Sequence, residues 1–343
     1  MADRLLLLGA AGTVGSRVAL AFIEAGYELV CLARSKGHRN LKQVEHAGAE
    51  LVYGDMNDDD ALRNALQGCK FFAHSAAPYP WSGLHFRLPG YREKWVPQVK
   101  RHLQLAKEAG VERAVFTSSL STIGLAKDGE LADESLPYDP KRQGGGNYYP
   151  IKHVLEQAVL EVDGPPTVLV NPTGLVGEGS RNAELSGACV FFNGLTPMMV
   201  DAKLNFVDCR DVGRGHVLAL QKGTPNERYI LGGVNTTLKE FAETVTNMAG
   251  INRPVIVPRV LAKFGAYLSE WWGLLTGNLG ALTLTSYYHL EYGQHYSSAK
   301  AKTELGYKPT TDLANAIQRE LEWHSVTPDA SRDQGTTPAT PET

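Results

Sequence analysis

Arg4-Leu5-Leu6-Leu7-Leu8-Gly9-Ala10-Ala11-Gly12-Thr13-Val14-Gly15 is the stretch that decides the fold, and Ser16-Arg17-Val18-Ala19-Leu20-Ala21-Phe22 continues it. Four consecutive leucines make Arg4–Gly9 a strand of the kind covered on both faces. Thr13–Ala25 then carries the apolar spacing of a helix. Between the two, Gly9, Gly12 and Gly15 let the backbone turn tightly and come close to a pyrophosphate. The helix start offers that anion free N–H groups, here those around Thr13 and Val14, and its positive dipole end. A strand, a glycine turn and a helix in this order open a βαβ unit, the setting in which such glycines bind a dinucleotide.

The alternation continues outward. Glu28–Ala33, Glu50–Gly54, Lys70–His74 and Arg113–Ser118 read as strands. Helices begin near Asp58 and at Lys94, the second stopping at Gly110. Tyr148–Glu161 is a further helix and Thr167–Val170 a sixth strand. This order predicts an α/β fold with a Rossmann-like, doubly wound parallel sheet. After the sixth strand the alternation is expected to break down. Thr237–Ala249 reads as a helix with Thr237 as N-cap and Glu240 completing a capping box. Val260–Leu275 and Asp312–His324 are two more. Residues 1–177 are thus read as mainly dinucleotide-binding and 178–324 as mainly a substrate-binding lid, with about 205–233 returning to the core. Residues 325–343, rich in Ser, Thr, Pro and Asp, read as a disordered tail.

With 343 residues, 43% of them hydrophobic, the chain can bury a sizeable core. Its 34 basic and 37 acidic residues leave a net charge of −3, which gives no reason to expect a nucleic-acid partner. No run of about 18 uninterrupted apolar residues suggests a membrane span. Cys31, Cys69, Cys189 and Cys209 form no CxxC pair and are expected as buried, reduced thiols of a cytoplasmic protein. No metal site is expected.

Two constellations carry chemistry. The second strand ends in Leu32-Ala33-Arg34, where an NAD-selecting protein usually offers an acid to the adenosine ribose. Arg34 and Lys36 suit a 2′-phosphate instead, which favours NADP(H) over NAD(H). Tyr148 and Lys152 have the i, i+4 spacing that shares one helix face. A nearby ammonium stabilises a phenolate, bringing a tyrosine that titrates near 10 toward useful proton transfer. Tyr149 has no such lysine and is left to line a pocket. Ser119, in a hydroxyl-rich turn after the fifth strand, is placed to donate to a substrate oxygen; His74, at the end of the fourth, is read either as approaching the nicotinamide or as packing.

The motifs together resemble the extended short-chain dehydrogenases/reductases. They are GAAGTVG (Gly9–Gly15), VYGDMND (Val52–Asp58), FTSS (Phe116–Ser119), Tyr148xxxLys152, NPTGLVGEG (Asn171–Gly179), NFVDCRDVGRGHVLAL (Asn205–Leu220), RYILGG (Arg228–Gly233) and ELGYKP (Glu304–Pro309). The nearest branches in motif are dihydroflavonol reductases, 3β-hydroxysteroid dehydrogenases and sugar epimerases. The resemblance implies a triad of Ser119, Tyr148 and Lys152: Tyr148 as acid/base, Ser119 orienting the carbonyl, Lys152 holding the nicotinamide ribose. It also implies cofactor contacts from Asp55, Met56, Ser75, Ala76 and Pro172. A homodimer through the helices starting near Lys94 and Tyr148 is a further implication. The chain departs from the family pattern at Trp95, where an asparagine often stands, at Ile151 before the lysine, and at Asn171, where many nucleotide-sugar enzymes have arginine.

The expected function is therefore NADP(H)-preferring carbonyl reduction or alcohol oxidation on a fairly apolar small molecule. A nucleotide-sugar epimerase or dehydratase that retains its cofactor is the alternative. A redox-sensing binding protein on the same fold is a third reading, disfavoured by the complete triad.

Overall fold

The computed structural model describes residues 2–77, 91–145, 147–180, 187–192, 197–276 and 282–325. The expected first crossover is present: β1 (Arg4–Leu8), the glycine turn, α1 (Thr13–Glu24) and β2 (Glu28–Ala33). Then come α2 (Arg39–His46), β3 (Glu50–Tyr53), α3 (Asp59–Leu66), β4 (Phe71–His74), α4 (Tyr91–Glu108) and β5 (Arg113–Thr117). The short α5 (Pro140–Gln143) precedes α6 (Tyr148–Glu161), β6 (Thr167–Pro172) and β7 (Gly174–Val176). The remainder is α7 (Gly187–Phe192), β8 (Met198–Met199), β9 (Lys203–Asp208), α8 (Cys209–Lys222), β10 (Arg228–Leu231), β11 (Val234–Thr237), α9 (Leu238–Ala249), β12 (Val255–Ile256), α10 (Arg259–Thr276), α11 (Leu284–Glu291) and α12 (Leu313–Ser325).

The central sheet has seven strands in the order β10-β6-β5-β4-β1-β2-β3. Every pairing in it is parallel. The order reverses between β1 and β4, so a crevice opens there at the strands' carboxyl ends. Alternate residues of β1 feed the two cores. Leu5 and Leu7 join Val18 and Phe22 of α1, while Leu6 and Leu8 join Phe72, Leu103 and Leu155 on the other face. At about 25 cal/mol per Å² of apolar surface buried, these two layers supply the main stabilisation of the fold.

Three expectations need correction. The alternation does not end at the sixth strand, because α8 and β10 add one more crossover and a seventh strand. Strands β7, β8 and β9, which join a small β11-β9-β7 sheet and the two-stranded β12-β8 instead of the central sheet, lie between β6 and α8 in sequence and mask the period. α2 was not anticipated: of its residues only Asn40, Leu41 and Val44 are buried, too few for an apolar stripe. α4 starts a turn earlier than expected, at Tyr91, and holds Pro97 within it. The predicted tail lies outside the described residues except Ser325, which closes α12.

Thr237 does cap α9, and Glu240 completes the capping box. All four cysteines are buried, and none is in a disulfide. α12 is clamped to the turn after β7 and to α7: the buried Glu320 carboxylate accepts from Gly177 N at 2.9 Å and Ala188 N at 2.8 Å.

Candidate functional site

Glycine is required at the turn after β1 for steric reasons. Gly9 has φ +95°, and a Cβ there would lie 2.7 Å from the Ser75 carbonyl carbon. A Cβ on Gly15 would lie 2.0 Å from Gly9 O, a backbone atom that cannot swing away. Gly12 caps α1 with no side-chain hydrogen bond, so the first-turn N–H groups of Thr13 and Val14 are left for an external acceptor. Asn40, not foreseen from the sequence, pins this loop from below. Its Nδ2 donates to Ala11 O at 3.0 Å and to Gly179 O at 2.9 Å.

Ser75 and Ala76 form the opposite wall, since Gly9 abuts their backbone. A directed chain of hydrogen bonds fixes Ser75. His216 Nδ1 lies 2.7 Å from Val212 O, so that nitrogen carries the proton. His216 Nε2 is then an acceptor for Thr117 Oγ1 at 2.8 Å, and Thr117 accepts from Ser75 Oγ at 2.7 Å. Burial holds the imidazole at about 4, which keeps it neutral and the chain's direction constant.

Arg34 and Lys36 are exposed immediately after β2, with Lys36 Nζ 5.0 Å from the centre of the Tyr53 ring. Asp55 is exposed after β3 and accepts from Asn57 N at 2.9 Å; Met56 is half-buried against the core. Pro172 is buried at the end of β6, paired in register with Leu231.

Ser119, Tyr148 and Lys152 come together at the carboxyl end of β5. Tyr148 Oη donates to Ser119 Oγ at 3.0 Å, and Lys152 Nζ donates to Thr117 O at 3.4 Å. Burial pushes the Tyr148 phenol up to about 12, against the pull of the Ser119 bond. Burial pushes the Lys152 ammonium down to about 8, and the negative charge of Glu156 opposes this. Pro150 is tolerated because it lies in the first turn of α6, where N–H groups lack helical partners anyway.

A buried carboxylate below the triad organises the loop. Glu156, 1% exposed, accepts from Ser118 Oγ, from Thr122 Oγ1 at 2.7 Å and from Asn171 Nδ2 at 3.1 Å. Asn171 Nδ2 also donates to Ser119 O at 3.0 Å, tying the Ser119 backbone to the same centre. Glu156 stands four residues after Lys152, on the same helix face, and that spacing was the overlooked signal. Asn171, where many nucleotide-sugar enzymes have arginine, is thus a buried member of the network that holds the Ser119 loop.

Other singled-out residues take supporting places. His74 packs against Phe116 and its Nε2 meets His102 Nδ1 at 3.0 Å in the core, which is the packing alternative. Trp95 is half-buried against the same core. Tyr149 is buried between His289 and Tyr292. His289, on α11, lies 5.0 Å from the Tyr148 ring and so brings the C-terminal helices over the triad. Lys203 is paired with Asp128 at 2.8 Å, and Arg181 lies outside the described residues. Among the described residues no cluster of His, Cys, Asp or Glu suits a metal ion.

Comparison with known proteins bears on this arrangement. The family model described as "NAD dependent epimerase/dehydratase family" matches residues 5–232. A protein of Synechocystis sp. named putative dihydroflavonol 4-reductase is 31% identical over 94% of this chain and 95% of its own length. Sterol demethylase protein B of Methylococcus capsulatus is 28% identical over 90% of this chain and 94% of its own. The crystal structure of gox2253 is similar with a TM-score of 0.78 and 33% identity, covering 94% of this chain and 98% of that one. The chain belongs to the NAD dependent epimerase/dehydratase family of extended short-chain dehydrogenases/reductases and is an NAD(P)-dependent oxidoreductase.

Proposed function

We propose that the protein is an NADP(H)-preferring carbonyl reductase, or alcohol dehydrogenase in the reverse direction, acting on a fairly apolar ketone or alcohol. The observation that carries this reading is the 3.0 Å bond from Tyr148 Oη to Ser119 Oγ, beside Lys152 and across from the glycine loop. The cofactor loop fits a dinucleotide because a Cβ at Gly9 or Gly15 would fill the cradle and because α1 starts without a side-chain cap. Gly9, Gly12, Thr13, Val14 and Gly15 would hold the pyrophosphate, and Ser75, Ala76 and Pro172 the nicotinamide side. Asp55 and Met56 would meet the adenine. Arg34 and Lys36, exposed where an acid is lacking, would hold the 2′-phosphate.

When bound, the nicotinamide supplies the hydride chemistry. The chain's own residues handle the oxygen. Ser119 Oγ orients the substrate oxygen, and Tyr148 Oη releases a proton to it as negative charge develops. The phenolate left behind is stabilised by the Lys152 ammonium, so Lys152 must be charged for the step. A high Tyr148 pKa in the resting site and a low Lys152 pKa have the same cause, burial, and bringing the two charges together offsets part of each penalty. The apolar substrate class is supported by the names of the two relatives, a flavonol-type reductase and a sterol protein.

Replacing Tyr148 and Tyr149 by phenylalanine separately tests the assignment. Tyr148→Phe should cost about 10² to 10⁴-fold in kcat while cofactor affinity is kept. Tyr149→Phe should cost far less. The reverse ranking would reject Tyr148 as the acid.

A further inference from the structure

α10 is amphipathic in the inverted sense. The side it turns to the protein is narrow: Ala262, Ala266, Glu270 and Gly273 are buried there, near Val200, Leu284 and Tyr287. The large apolar side chains point outward. Val260, Leu261, Phe264, Leu268, Trp271, Trp272 and Leu275 are between 54% and 80% exposed. At 3.6 residues per turn they occupy an arc of roughly 120° that no charged residue interrupts. Each of them is more than half exposed, so they fill no core of the protein. Soluble proteins rarely leave so continuous a patch uncovered without use.

Charge and composition select what covers it. The exposed charged residues on Ile251–Thr276 are Arg253, Arg259 and Lys263, all cationic, and the one acid of that segment, Glu270, is buried and accepts from Leu284 N at 3.0 Å. The two neighbouring acids already face arginines, Glu243 with Arg253 at 2.8 Å and Glu291 with Arg259 at 3.8 Å. Lys263 lies on the edge of the apolar arc next to Leu274. A second copy of the chain would bring the same basic margin and no exposed acid to meet it. Lys263, whose ammonium has among the described residues only the Tyr287 and Tyr288 rings 5.9 Å away beside it, is the cation left for an outside anion, and an anionic lipid surface supplies one. Two of the chain's five tryptophans stand in this arc, the residue type that favours the headgroup boundary. Among the described residues no helix is long and apolar enough to cross a membrane, so the helix would lie along the surface.

We propose that α10 seats the protein on an anionic phospholipid surface, with Val260, Phe264, Leu268, Trp271, Trp272 and Leu275 in the interface and Arg259 and Lys263 at the headgroups. Building on the apolar-substrate reading, the seat gives that reading a source of substrate. α10 packs on α11, and His289 of α11 lies against Tyr148, so the seated helix is one element away from the proposed acid. An apolar ketone dissolved in the bilayer is then presented to the lid.

The test uses the full chain and sedimentation with vesicles, either phosphatidylcholine alone or phosphatidylcholine mixed with phosphatidylglycerol. The wild type should sediment with the mixed vesicles, weakly with the neutral ones, and less as salt is raised. Trp271→Ser with Trp272→Ser should weaken vesicle binding by roughly 100-fold or more. Lys263→Glu should weaken it by roughly 10-fold on mixed vesicles. Both variants should melt within a degree or two of the wild type, since Trp271 and Trp272 are more than 60% exposed and Lys263 gives up only its 5.9 Å approach to the Tyr287 and Tyr288 rings. Equal binding to both vesicle types, no binding, or binding that survives both variants would overturn the proposal. A dimer that the double tryptophan variant dissociates would also overturn it and assign the face to a second copy. Vesicle binding requires neither substrate nor turnover. A protein that binds vesicles but reduces no ketone therefore rejects the proposed activity and leaves the seat standing.

Discussion

The glycine loop at Gly9–Gly15 and the helix α10 follow opposite rules. Around the loop, space is so tight that a single added carbon meets backbone at 2.0 Å, and the nearby polar groups are tied into directed networks by Asn40, His216 and Glu156. On α10 a Cβ added at Gly265 meets only Leu282, at 3.8 Å, and the large side chains face outward. One region is constrained by its own interior. The other is constrained by something it is built to touch. A residue change should therefore be severe in the first and mild for folding in the second.

The largest expected effect comes from Gly15→Val, which places a branched side chain where even a Cβ has no room. Cofactor affinity should fall by more than about 100-fold, and the melting temperature should drop by several degrees, as for other strained backbone sites costing roughly 1–3 kcal/mol. Fluorescence titration with NADPH and a thermal melt check both. A variant with wild-type affinity would mean the loop is not the pyrophosphate cradle.

Next is Arg34→Ala. Loss of one charge-assisted bond costs on the order of 1.5–3 kcal/mol. NADPH should bind about 10 to 150-fold more weakly, with NADH nearly unchanged. Equal losses for both cofactors would remove Arg34 from the 2′-phosphate.

Glu156→Gln sharpens the comparison within the buried network. The pKa of Lys152, held at about 8, predicts that kcat falls as pH rises through that value, because the step requires the ammonium. Glu156 is the charge that raises this pKa, so Glu156→Gln should move the fall to lower pH. The stability effect has a definite sign. The folded-state pKa of Lys152 is below its unfolded value near 10.4, so the unfolded chain binds more protons between about pH 8 and 10. Its contribution to stability therefore rises with pH across that window. A kcat profile unmoved by Glu156→Gln would show that Lys152 does not govern it.

The smallest effect is expected from Gly265→Ala on α10. Alanine is better than glycine in a helix interior by roughly 0.5–1 kcal/mol, and there is room for it. The melting temperature should rise slightly. A clear loss would show that the helix is packed more tightly than its exposure indicates.

Much of the first region was legible in the sequence. Four leucines before a glycine turn identify β1 because a strand buried on both faces has few polar alternatives. Gly9 and Gly15 were legible because backbone contact leaves no substitute. The spacing of Tyr148 and Lys152 was legible because a helix puts residues four apart on one face. Asn40, Glu156 and His216 were not, since the loop groups they hold, at Ala11, Thr122 and Thr117, lie 29 or more residues away and no local period records which of them meet. The direction that α10 faces was also hidden. Its hydrophobic stripe is broad, and only the burial of Ala262, Ala266 and Gly273 on the side of α11 tells which side is out.

The central claim is that this site reduces an apolar ketone with net use of NADPH, and stoichiometry tests it most directly. The purified protein is incubated with NADPH and a panel of apolar ketones, and separately with common sugar nucleotides. The account predicts one NADPH oxidised for each alcohol formed, with the sugar nucleotides unchanged. Conversion of a sugar nucleotide without net NADPH loss, together with no reaction on any ketone, would contradict it.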